Sequence, residues 1–356
     1  MLFFQTYRGM FKVIKNKEQW NTILKMVDTY DMYHTYEYHQ ITKNEGEEPI
    51  LISYSEKDKL IAIPLLLRNI PDSDYMDCTS VYGYAGPISK NIDESFNPTS
   101  FTSKFNKVLI DNNIVSIFSR LNPFIPNQEF CLNGLGEITP LSTVVNIDIS
   151  QSEEEQVKEY HKRFRTQINK ARRVCNLKYA ETKEEVLQYI ALYYENMKRV
   201  CAKKEYFFNE EYFFKLINAT DFNTRILLAL DKNSDKIIAG AMFIEKNKII
   251  QYHLSGADAN FLKHYAIKLL IDEMRRIATN ENYKFFNLGG GIGNKKDSLF
   301  DFKAGFSKDY KQFTVWRYTV NDKAYGELAL KNQEKKACTV FHKDCTLFFP
   351  CYRCNL

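Results

Sequence analysis

The chain carries a long internal near-duplication. In the first half, "ILISYSEKDKLIAIPLLL" from Ile50 leads to "SVYGYAGP", then to a polar stretch of helical character from about Pro98 to Asn112, then to "IVSIFSRLNP" from Ile114. In the second half, "ILLALDKNSDKIIAGAMFI" from Ile226 leads to "KIIQYHLSGAD", the helical pattern "AIKLLIDEMRRIA" and "KFFNLGGG". Each copy reads hairpin, strand, helix, strand, and Lys59 and Lys236 open the second strand of the two hairpins. Charged turns between runs rich in Ile, Leu and Ala suit strands buried in a mixed sheet. At this period the repeat is a duplicated domain, not a solenoid. Length agrees, since 356 residues exceed the ~250–300 at which a single core divides. The expectation is an α/β protein with an N-terminal domain over 1–150, a C-terminal domain over 151–320 and a tail over 321–356.

Between the copies the helix signals are clear. Ser152 with Glu155 forms a capping box, and Val157, Tyr160, Phe164, Ile168 and Ala171 follow on one helical face. Thr182 with Glu185 starts a second helix, and Asn209 caps a third. The remaining faces of the first helix are basic, with Lys162, Arg163, Arg165, Lys170, Arg172 and Arg173 close together. Such a run is ordinarily a solvated face. Placed at the junction of two copies, its arginine forks are also suited to clamp phosphate or carboxylate groups.

The excess of 49 Lys+Arg over 44 Asp+Glu leaves a net charge of +5, too mild a field for duplex DNA, so any anion site is local. No apolar run approaches the ~20 residues of a membrane span, which points to a soluble, cytoplasmic protein and leaves peripheral contact with a membrane open. Eight cysteines are irregularly spaced. Cys338, Cys345, Cys351, Cys354 and His342 crowd the C-terminus, but match no common zinc spacing. The expectation there is free thiols and no metal.

"NLGGGIGNKKDSLFDFKAGF", residues 287–306, places four glycines in five positions. A dinucleotide fingerprint needs GxGxxG leading into a helix; the third position here is Asn294, and "NKKDSLFDF" does not read as an apolar-faced helix. A P-loop needs a lysine followed by Ser or Thr, which neither Lys295 nor Lys296 supplies. What remains is a strand exit in which Gly289, Gly290 and Gly291 leave backbone open, either to a ligand or to a tight turn.

Together, "RFRTQINKARR" (163–173), "YHLSGAD" (252–258), "NENYKFFNLGGG" (280–291) and "SLFDFKAGFS" (298–307) resemble the Fem-type aminoacyltransferases that build peptidoglycan bridges, and their relatives in the GNAT superfamily of N-acyltransferases. The resemblance implies two tandem GNAT-like α/β domains, mixed sheets flanked by helices, with the tail returning to the first. It implies transfer of an acyl or aminoacyl group from a thioester or ester to an amine of a peptidoglycan, glycan or other cell-envelope precursor. The co-substrate is acyl-CoA or aminoacyl-tRNA, with no tightly bound cofactor. Acetyl-CoA enzymes of this type carry a glycine-rich pyrophosphate loop where this chain reads "GADANFLKHYAIKLL", and the long helical hairpin of some tRNA users has no candidate here.

The resemblance places Lys303 at the catalytic cleft. Acyl transfer needs a neutral amine, a stabiliser for the developing oxyanion and close juxtaposition, so no covalent nucleophile is required, and no nucleophile elbow is present. His253 is a candidate base, and strand alternation allows only one of Tyr252 and His253 to face the cleft. Asp301 and Asp297 are further candidate bases. Arg165 is a candidate anion clamp, with Asn169 and Arg172 on its face at i+4 and i+7. Tyr82, Tyr84 and Gly86 of the first copy are candidates for an acceptor groove. Two other function classes stay open: a non-catalytic anion- or nucleic-acid-binding module built on 162–173, and a structural role for a decayed copy of the fold.

Overall fold

The computed structural model describes residues 10–336 and 348–354. It forms two compact units: one made of the described residues up to Leu141 and those from Phe313 on, the other of Ser142–Gln312. The sequence reading placed its boundaries at 150 and 320.

The first unit opens with β1 (Met10–Ile14), α1 (Lys17–Leu24) and α2 (Tyr36–Thr42). The hairpin of β2 (Glu47–Glu56) and β3 (Lys59–Asn69) follows, then β4 (Met76–Thr79), β5 (Ile88–Lys90), α3 (Thr99–Asp111), β6 (Ile114–Arg120) and α4 (Gln128–Cys131). The sheet order is β1-β2-β3-β4-β6, with β5 also on β3. β3 is buried over most of its length, and Pro64, which has no N–H to donate, falls between the residues pairing with β5 and those pairing with β4. Ile50, Ile52, Ile61, Ile63 and Leu65 pack with Phe101, Phe105 and Leu109 of α3 as this unit's core. The strand after the hairpin is "MDCT", ahead of the stretch "SVYGYAGP" that the repeat had suggested. That stretch is held instead by buried polar side chains: Asn122 donates to the Tyr84 carbonyl (2.9 Å), and Gln128 to those of Ala85 and Pro87 (3.0 and 2.9 Å).

β7 (Glu137–Asp148) carries the chain into the second unit, which contains α5 (Glu153–Lys158), α6 (Lys162–Val174), β8 (Cys175–Tyr179), α7 (Lys183–Arg199) and α8 (Glu210–Ile217). The second copy of the repeat follows as β9 (Asn223–Asp231), β10 (Ile237–Lys246), β11 (Ile249–Ala257), α9 (Ala266–Asn280) and β12 (Phe285–Gly289), then α10 (Ser298–Ala304). The sheet runs β7-β12-β11-β10-β9-β8. In both copies the strands flanking the helix pair in parallel, β4 with β6 and β11 with β12, and the other neighbours within each copy are antiparallel. The caps at Ser152, Thr182 and Asn209 form as read. The first basic helix, however, is two helices. The Tyr160 hydroxyl donates to Asp272 (3.0 Å) and the His161 N–H donates to the Gly305 carbonyl (3.0 Å), which takes that N–H out of a helical ladder.

β13 (Asp309–Thr319) returns the chain to the first unit, where Val315–Thr319 pair with β6, and α11 (Asp322–Lys336) follows. Tyr352 and Arg353 both bind the buried carboxylate of Asp77, at 3.0 and 2.5 Å, and Arg68 binds it from β3 at 2.8 Å. Cys338, His342 and Cys345 lie outside the described residues. Among the described residues no His, Cys, Asp and Glu cluster is arranged for a metal ion, and no helix is long and apolar enough to cross a membrane.

Candidate active site

The glycine loop leaves β12 with Gly289 at φ +78, in the left-handed region where side chains are strained. A Cβ on Gly291 would overlap the Lys295 carbonyl and lie 2.5 Å from a carboxylate oxygen of Asp297. Asp297 closes the loop: one oxygen accepts the Ile292 N–H (3.0 Å) and the other accepts the Phe300 N–H (2.9 Å), capping α10. Residues 298–304, which the sequence reading did not take for a helix, are therefore helical. The inward face of α10 is short and mixed, made of Phe300, Lys303 and Ala304.

Lys303 thus lies on a helix and is buried. Its ammonium donates to the Gly290 carbonyl at 2.7 Å. Burial pushes its pKa down to about 8, against the nearby charge of Asp297. The Asp297 carboxylate is occupied by backbone donors, and Asp301 is exposed on the outer side of α10. Of the site residues read from the sequence, Lys303 and the three glycines are brought together, and Asp301 is not.

β11 and β12 pair only from Ile249–Gln251 to Phe285–Asn287, and a hydrogen bond between the Gln251 and Asn287 side chains (2.8 Å) marks the end of the pairing. Past it, a register shift against Met242 and Phe243 makes His253 the extra residue of a bulge. Tyr252 packs against the same core cluster as Phe302, and its hydroxyl is hydrogen-bonded to that of Ser255; burial raises its pKa to about 12. His253 points to the opposite face, stacked on Tyr212 and hydrogen-bonded to its hydroxyl at 2.8 Å. Burial lowers its pKa to about 4, so it is neutral at pH 7 with a partner of its own. Of the two, Tyr252 is the one on the face of the core that α10 covers.

On α6, Phe164, Gln167, Ile168 and Ala171 face inward, while Arg165 and Asn169 are exposed. Arg172 does not share that exposed face. It is ion-paired with Asp272 and Glu273 of α9, to the latter at 3.3 Å. In the first unit, Tyr82 is exposed and its ring lies 6.0 Å from the Arg120 guanidinium. Tyr84 is held edge-on between Tyr33 and Phe313, and burial raises its pKa. Gly86 is buried.

Residues 218–314 match the model of the FemAB family. They hold β11, β12, the glycine loop and Lys303. The whole chain is similar in fold to FemX, with 12% identity over 90% of this chain and 99% of that one and a TM-score of 0.69. The segment that carries Lys303 is thus FemAB-like.

Two further solved structures share the fold of this chain. One is L-PGS from Bacillus licheniformis, at 12% identity, covering 87% of this chain and 93% of that one, with a TM-score of 0.54. The other is a conserved protein of unknown function from Bacteroides thetaiotaomicron, at 12% identity, 87% and 100% coverage and a TM-score of 0.56. No curated protein sequence matches. The α/β architecture read from the sequence holds, with mixed strand pairing and flanking helices in a fold shared with FemX. Sequence reasoning missed the loop-closing role of Asp297, for which a signal existed, since Asp297 stands directly before "SLFDF" as a helix cap would.

Proposed function

We propose that the chain is a Fem-like acyltransferase that moves an aminoacyl group from aminoacyl-tRNA to an amine of a cell-envelope precursor, with a peptidoglycan precursor as the acceptor. The observation that carries the reading is the buried Lys303 ammonium, held 2.7 Å from the Gly290 carbonyl beside the diverging ends of β11 and β12 within the FemAB-matched segment. The acceptor amine attacks the ester carbonyl carbon, a C–N bond forms, and the C–O bond to the ribose breaks. The proton lost by the amine ends on the departing ribose oxygen. Lys303 is protonated at neutral pH and supplies positive charge where the oxyanion or the leaving oxygen develops. With a pKa near 8 it is also suited to pass a proton.

Two observations favour tRNA over CoA. The turn after β11 begins at Asp258, whose carboxylate accepts from Lys236 (2.7 Å) and from the Asn260 N–H (2.8 Å). An anionic side chain thus fills the place where a pyrophosphate would need bare N–H groups. The exposed side of α6 presents Lys162, Arg163, Arg165, Lys170 and Arg173, a surface matched to a phosphate backbone.

The test presents charged tRNA and acetyl-CoA as donors, side by side, with an amine-bearing wall precursor. Transfer is expected from charged tRNA alone. In Lys303→Met it should fall by roughly 10²–10³, while tRNA binding persists and weakens steeply with salt. Transfer from acetyl-CoA overturns the donor assignment. Full activity in Lys303→Met removes Lys303 from the chemistry, and tRNA binding without any transfer supports a binding module instead.

A further inference from the structure

The seven-residue α10 is too short to hold its own conformation, so the position of Lys303 depends on what braces it. Beyond the Asp297 cap, that brace is α6. The His161 N–H donates to the Gly305 carbonyl at 3.0 Å. The Phe164 ring lies directly on Gly305, where an added Cβ would overlap it. The same ring meets Phe306 edge-on at 5.2 Å and Phe302 at 6.0 Å, the residues on either side of the Lys303–Gly305 turn.

Behind this ring stands Lys268 of α9. Its ammonium lies 3.4 Å from the centre of the Phe164 ring and 5.8 Å from that of Phe302, and it donates to the side-chain oxygen of Gln167 on α6. Among the described residues no carboxylate pairs with it, and both burial and the charge of Arg163 work against its protonation. A hydrocarbon side chain would fill the same space without that desolvation penalty. The ammonium therefore does something packing alone would not: it attracts the faces of Phe164 and Phe302, together with that of Tyr265 at 5.7 Å, and holds them in one arrangement.

We propose that Lys268 is a positioning residue that presses Phe164 onto Gly305 and so sets Lys303 against the Gly290 carbonyl. Its bearing on catalysis rests on the reading of Lys303 given above; the positioning itself does not.

The experiment compares wild type, Lys268→Met and Lys268→Arg. The first readout is the rate at which N-acetoxysuccinimide acylates Lys303 at pH 7, followed by peptide mass spectrometry, with urea unfolding in parallel. Lys268→Met should expose Lys303 to several-fold faster acylation at an undiminished urea midpoint, and Lys268→Arg should restore the slow rate. In the transfer assay Lys268→Met should lower kcat roughly tenfold or more at unchanged KM, again with recovery by arginine. A wild-type acylation rate in Lys268→Met, or an arginine variant no better than the methionine one, overturns the proposal. Should Lys268→Met fail to fold, Gly305→Ala displaces Phe164 by its methyl group and must speed acylation in the same way; an unchanged rate there also overturns it. Faster acylation with normal turnover upholds the positioning and removes Lys303 from the chemistry.

Discussion

Lys303 shows how a single residue's environment bears on stability. Its type and neighbours are readable in "FDFKAGF", but its burial and its carbonyl partner are not, because both depend on a loop that folds back from β12. At pH 7 Lys303 is protonated in the folded and unfolded chains alike, so the folded state bears the whole desolvation cost. That cost is relieved only as pH rises from about 8, the folded value, to 10.5, the unfolded one. Lys303→Met is therefore expected to melt no lower than wild type at pH 7, with the difference shrinking toward pH 10, even as activity is lost. The buried histidines give a slope of the same sign in acid. Burial depresses His34 and His253 to about 4 and His39 to about 3, so below 6.5 the unfolded chain binds protons that the folded chain refuses. Stability present above pH 6.5 is lost on acidification toward pH 4, at about 1.4 kcal/mol per histidine per pH unit. Urea unfolding at pH 7, 6 and 5 measures that slope, and His39→Phe, which can keep the contact with Trp20, should make it shallower.

At the scale of elements, periodicity located α6, but its two faces have different uses. Arg165 is exposed and Arg172 is held by α9, a difference that helical spacing cannot express because the carboxylates lie about a hundred residues away in the chain. Arg165→Ala should leave thermal unfolding unchanged and lower the salt slope of tRNA binding by about one. Arg172→Ala should leave that slope unchanged and destabilise the fold by about 1–3 kcal/mol, as read by urea titration. The same limit explains the split between α5 and α6. Tyr160 and His161 satisfy the helical period, yet they are bonded to Asp272 and Gly305.

At the scale of the whole molecule, the duplication announces two units and yet hides that the first is discontinuous in sequence. β7 and β13 pass through the divisions at Leu141/Ser142 and Gln312/Phe313 as unbroken strands, so no Gly- or Pro-rich linker marks either one. The last described residues complete the first unit by binding Asp77, a carboxylate with no exposed surface. Arg353→Ala leaves Arg68 as the remaining cation on Asp77 and is expected to cost about 2 kcal/mol, seen as a lower midpoint for the first unit in differential hydrogen exchange, with the second unit unaffected.

What the sequence by itself determined is everything that depends on near neighbours along the chain. The repeated hairpin, strand, helix and strand, the caps at Ser152, Thr182 and Asn209, and the need for glycine at the exit of β12 all follow from periodicity, capping chemistry and backbone sterics. Only the tertiary structure decided which side chains are partnered or buried. It turned His253 toward Tyr212, tied Arg172 to α9, left Asp301 in solvent and closed the Asp297 loop around a buried Lys303. Those outcomes depend on residues that are distant in sequence and adjacent in space, where the balance of desolvation against pairing is settled.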